Sequence, residues 1–169
     1  MAFYLQRIAV KAAINDKENT PKIKTNQQGG IMLLKQGDLF WGMNIDFVKK
    51  VTDQTEHITY KEGEKLFKVG DPASFFYILL KGSVTMERGR GRWYTAKHAG
   101  ELFGWSALIH RDDFAASAVA DTDSEVLKIE RDPFLELLES SPPDKAQLYE
   151  KLARMLGNQL LDVYMNTAS

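Results

Sequence analysis

The chain has 169 residues, of which 44% are hydrophobic and 27% charged, with 22 basic side chains against 23 acidic ones. That length carries one real core plus a helical appendage, and a formal net charge of −1 gives no global attraction for nucleic acid. The absence of cysteine excludes a disulfide framework and thiolate chemistry. No apolar run approaches the roughly 18 residues of a membrane span, and Gln6, Arg7 and Lys11 interrupt any signal-peptide core, so a cytoplasmic soluble protein is expected.

Residues 1–36 read as an N-terminal arm. Phe3-Tyr4-Leu5 and Ile8-Ala9-Val10 share one side of a possible short helix ending near Asn15, and the polar, Pro- and Gly-punctuated run that follows has linker composition. The arm is basic, with six basic residues against two acidic. It is either a solvated arm or one that folds against a partner.

The domain proper is expected over residues 37–143. Apolar spacing through Phe47, Val48 and Val51 predicts a helix over Asn44–Thr52, with Asn44 as N-cap and Asp46 complementing the dipole. Trp41 is expected in the core.

From His57 the pattern changes to short alternating segments. His57–Tyr60, Leu66–Val69, Phe75–Leu80, Val84–Glu87, Trp93–Ala96, Ala115–Ala120 and Glu125–Ile129 alternate with turn residues, which suggests a β sandwich or barrel. Arg88-Gly89-Arg90-Gly91-Arg92 falls at a hairpin tip, where Gly89 and Gly91 are expected to supply positive φ. Such a tip is either merely solvated or able to grip phosphate.

Beyond the strands, Phe134, Leu135, Leu137 and Leu138 predict a short helix with Asp132 capping and Pro133 at its first position. Ser140-Ser141-Pro142-Pro143 breaks it. A last helix is expected from about Asp144 to Tyr164, within a closing segment 144–169.

The most informative stretch is Gly100–Ala118, GELFGWSALIHRDDFAASA. Glycines flanking a Glu-Leu-Phe step allow a sharp turn and a close approach. Ser106-Ala107-Leu108 reads as one helical turn whose first N–H groups lack internal partners, a weak anion-site signal by itself.

With Gly100, Glu101, Gly104, Ala107, Leu108, Ala115, Ala116 and Ser117 in place, this stretch resembles the phosphate-binding cassette of the cyclic-nucleotide-binding domain of catabolite-activator-type regulators and kinase regulatory subunits. The opening segments from Tyr60 to Val84 resemble the family's first strands. The resemblance covers about Leu39 to Tyr164 and implies an antiparallel β jelly roll, a double-stranded β-helix, followed by two C-terminal helices. It also implies that Glu101 braces the cassette backbone.

Two departures fall on the ligand contacts. Trp105 stands where the family's Glu holds the ribose hydroxyl, and Phe114 where its Arg pairs with the cyclic phosphate. Losing one partner of a desolvated charged pair costs about 2–5 kcal/mol. The sequence offers no obvious replacement cation at the matching place; Arg111, three residues earlier in the turn, could swing in, and Arg88, Arg90 and Arg92 lie on a neighbouring loop.

The candidate ligand-binding residues are therefore Phe103, Gly104, Trp105, Ser106, Ala107, Phe114, Ala115 and Ala116. The ligand is either a cyclic nucleotide held weakly or a less charged aromatic or carboxylate molecule. Alternatively the two aromatic rings fill the vacated pocket and leave a ligand-free interaction scaffold.

The resemblance further implies a non-enzymatic regulatory module whose last helix lids the pocket and packs in a homodimer. A protein partner would read its movement. No recognition helix follows in this sequence, so direct DNA binding is not expected. The same roll serves metal-dependent cupins, but His57, His98 and His110 are widely spaced, with no His-x-His pair, so neither metal nor catalytic residues are expected.

Overall fold

The computed structural model describes Met32, Leu34, Gly37 and residues 39–167. It contains eight strands, β1 Thr55–Tyr60, β2 Lys65–Phe67, β3 Phe75–Lys81, β4 Val84–Arg88, β5 Gly91–Ala96, β6 Leu102–Phe103, β7 Ser117–Ala120 and β8 Ser124–Glu130. Among the elements described in full, three α-helices flank them: α1 Ile45–Asp53, α2 Arg131–Glu139 and α3 Pro142–Thr167. The strands form two four-stranded sheets, β1-β8-β3-β6 and β2-β7-β4-β5, and every pairing is antiparallel. The fold is the expected antiparallel β jelly roll with C-terminal helices.

Strand β3, FFYILLK, lies between β8 and β6 and is buried on both faces, which is why its apolar residues run without alternation. Phe76 packs edge-to-face on Phe134 of α2, with ring centroids 4.8 Å apart. Phe40 and Phe47 meet the same Phe134 ring at 6.1 and 6.2 Å, also edge-to-face. This cluster seals one end of the roll under α1 and α2.

The Asn44 carboxamide caps α1 as predicted, accepting from the Asp46 N–H at 2.8 Å. The buried Asp144 carboxylate joins α3 to that cap, accepting from the Asn44 N–H at 2.9 Å and from the Ser141 hydroxyl at 2.5 Å. Both oxygens are thereby satisfied, which is how a carboxylate is held inside.

Four local expectations are corrected. Trp41 is 70% exposed, because the neighbouring Phe40 takes the buried place. The Trp41 carbonyl instead accepts from the side chains of Gln147 and Lys151 on α3. The short helix starts at Arg131, so Asp132 lies within its first turn and pairs with Arg131 Nε at 2.9 Å; it is not the cap.

At the hairpin tip only Gly89 has positive φ, +62°. Gly91 is already the first residue of β5, paired opposite Arg88. Lastly, β6 lies within a segment expected to be only a turn, where Leu102 and Phe103 pair with Ile78 and Tyr77. The arm helix expected over the first 15 residues lies outside the described residues.

Candidate functional site

The cassette begins where β5 ends. Glu101 Oε2 accepts from the Lys97 N–H at 2.6 Å and from the His98 N–H at 3.0 Å, closing the turn that leads into β6. The Gly100 N–H donates to the Leu79 carbonyl at 2.7 Å, and the Leu79 N–H donates to the Glu101 carbonyl at 2.9 Å, so the turn is stitched to β3. The Glu101 side chain thus braces backbone and faces no ligand space of its own.

After β6 the chain passes Gly104 at φ +72° and enters a single 3₁₀ turn, Trp105–Ala107, for which Leu108 is the C-cap. A Cβ on Gly104 would lie 3.2 Å from the Tyr77 ring and 3.4–3.5 Å from those of Phe67 and Phe114. Backbone conformation and ring crowding therefore both demand glycine here. The return limb is pinned by the Phe114 N–H donating to the Asp71 carbonyl at 2.9 Å and the Gly70 N–H donating to the Phe114 carbonyl at 3.0 Å. Across the cassette, Ser106 Oγ accepts from the Ala115 N–H at 3.4 Å.

These elements border a cavity of about 550 Å³. Its cassette wall is Gly104, Trp105, Ser106, Phe114, Ala115 and Ala116, so six of the eight candidate residues meet at one place. The other two, Phe103 and Ala107, are fully buried behind that wall, where they support it.

The residues opposite escaped the sequence reading. Phe67, Met86, Trp93, Tyr94, Thr95 and Lys97 come from β2, β4, β5 and the turn after it, and Leu156, Gln159, Leu160 and Asp162 from α3. The α3 contribution follows helical spacing through positions 156, 159 and 160, a signal already present in the last helix's apolar pattern. The strand residues gave no such signal, because a pocket-facing and a core-facing side chain look alike along a strand.

The aromatic rings sort into two groups. Phe114, 3% exposed, stacks on Phe67 with centroids 3.8 Å apart, Phe67 stacks on Tyr77 at 5.5 Å, and Tyr77 on Phe103 at 5.3 Å. Trp105 meets Trp93 edge-to-face at 5.8 Å. Trp105 and Phe114 face the same cavity but pack on different partners and leave most of its volume open.

Polar chemistry at the cavity is sparse. Burial, then the nearby Glu101 carboxylate, push the Tyr94 phenol up to about 12, while a hydrogen bond with Gln159 of α3 partly offsets them. Burial pushes the Tyr77 phenol well above its usual value too. Among the described residues no arginine lines the cavity. Arg92 is held outside by Asp121 at 2.5 Å, and Arg111 is exposed in the turn. Among the described residues no cluster of His, Asp or Glu is arranged to hold a metal ion, and no helix is long and apolar enough to cross a membrane.

The sequence profile of the cyclic nucleotide-binding domain matches residues 57–141, half of the chain. The chain belongs to the cyclic nucleotide-binding domain family. It is similar to the cyclic AMP receptor protein of Thermus thermophilus, 31% identical over 127 residues, which are 73% of this chain and 59% of that relative. It therefore spans little more than half of that relative's length.

Among solved structures, a cyclic nucleotide-binding domain from Methylobacillus flagellatus aligns with a TM-score of 0.72 at 17% identity, covering 88% of this chain and 87% of that one. The regulatory domain of Toxoplasma gondii PKA, crystallised with cAMP, aligns with a TM-score of 0.65 at 25% identity, covering 76% of this chain and 50% of that one. The chain thus belongs to a family of regulatory, ligand-sensing domains.

Proposed function

We propose that the chain is a non-enzymatic sensor module whose cassette cavity takes an aromatic ligand less charged than a cyclic nucleotide. The observation that carries this reading is the pairing of an open 550 Å³ cavity with a cassette position at which Phe114 lies stacked on Phe67, with no arginine among the described residues that line it. A cyclic phosphate entering here would shed hydration without a guanidinium in return. Absence of such a charge-assisted, bidentate contact weakens binding by about 2–5 kcal/mol. An aromatic body instead gains stacking on Trp93, Trp105 and Phe114. The open cavity favours a ligand site over a ligand-free scaffold, because two rings that had filled the pocket would leave no such volume.

Thermal unfolding tests this. Cyclic AMP and cyclic GMP at millimolar concentration should shift the midpoint little, since stabilisation follows the ratio of ligand concentration to Kd. The double variant Trp105→Glu, Phe114→Arg should gain a clear shift, although losing the Phe114–Phe67 stack lowers its unliganded midpoint. A large shift in the unaltered protein contradicts the reading.

The signal would pass through α3, which contributes Leu156 and Leu160 to the cavity while Leu161 and Met165 are exposed. Those exposed apolar side chains favour contact with a second copy of the chain. Sedimentation showing only monomer at tens of micromolar would remove that part of the proposal.

A further inference from the structure

Among the described residues, the cavity's formal charges come from two side chains. Lys97, just after β5, and Asp162, near the end of α3, both line it. Among the described residues neither is in an ion pair, with the other or elsewhere. The cassette end offers little competing polarity, because Ser106 Oγ is already engaged by the Ala115 N–H. One cation and one anion thus stand unpaired at the border of an aromatic-walled space.

We infer that the cavity takes an aromatic zwitterion, its ring system against Trp93, Trp105 and Phe114, its carboxylate toward Lys97 and its ammonium toward Asp162. This rests on the reading of the cavity as an aromatic ligand site. A ligand with a single charge meets one attractive and one repulsive group, and the two effects oppose each other. A zwitterion meets two attractive ones. An ammonium beside tryptophan and tyrosine rings gains cation–π attraction as well.

A matched set of fluorescent probes separates charge from ring. Nε-dansyl-L-lysine is zwitterionic, dansylcadaverine cationic, dansylglycine anionic and dansylamide neutral, all on one aromatic body. Each is titrated into the protein, with emission excited through Trp93 and Trp105. The zwitterion should bind more tightly than each singly charged probe by about two- to five-fold, the size of one exposed ion pair. Lys97→Gln should bring the zwitterion level with dansylcadaverine, and Asp162→Asn should bring it level with dansylglycine. Both side chains are exposed, so neither substitution threatens the fold.

Equal affinity for dansylamide and the zwitterion overturns the charge assignment while leaving the aromatic ligand site intact. A preference for the zwitterion that survives both substitutions overturns it too. Failure of all four probes to bind removes the aromatic ligand site and the charge assignment together.

Discussion

On one face of β3, Phe76 joins Phe40, Phe47 and Phe134 in an edge-to-face cluster closed off by α1 and α2. On the other, Tyr77 begins a stacked line through Phe67 to Phe114 that ends at an open cavity. Both groups are built from aromatic rings that meet on β3, yet one is surrounded and the other has space on one side. The first holds the roll together. The second shapes a wall with open space beside it.

Substitutions distinguish the two faces. Phe134→Ala empties a fully buried site touched by three other rings, so it should cost about 3–5 kcal/mol in urea unfolding. Phe114→Ala loses the burial of its ring but adds to a cavity that already exists, so the cavity term is small and the loss should be about 2–3 kcal/mol. Equal losses at the two positions would break the contrast, for the Phe114 side would then be as closed as the other.

A smaller effect should appear in alkali. Burial, then Glu64 and Glu56, push the Tyr60 phenol up to about 12, and Tyr94 at the cavity reaches about 12 chiefly through burial. Unfolded tyrosine ionises near pH 10, so between about pH 10 and 12 the unfolded chain has released protons that the folded chain retains. Stability is therefore fully present below about pH 10 and falls across that window. Tyr94→Phe should make the fall shallower in urea titrations. An unchanged slope would mean that α3 does not cover this phenol as the Gln159 contact implies.

The sequence made much of this architecture legible. Turn residues between short alternating segments marked seven of the eight strands, and Asn44 announced the start of α1. Gly104 signalled a backbone that three rings crowd. The two-residue β6 is too short to show a period, and it became a strand only because β3 offers it an edge. The choice between Phe40 and Trp41 for the core is a matter of tertiary packing that local spacing does not contain.

At the site, the identities of Trp105 and Phe114 could be read directly, but their directions could not. Whether Phe114 fills the pocket or turns onto Phe67 depends on a residue 47 positions earlier in the chain. Lys97 and Asp162 were invisible as partners because they approach one cavity from a sheet and from the last helix.

Calorimetric titration of cyclic AMP into the unaltered protein is the most direct measurement. With Trp105 and Phe114 on the cavity wall and no arginine among the described residues lining it, no saturable heat is expected below millimolar concentration. A micromolar Kd would show that this cavity holds a cyclic phosphate without an arginine, and would contradict the account.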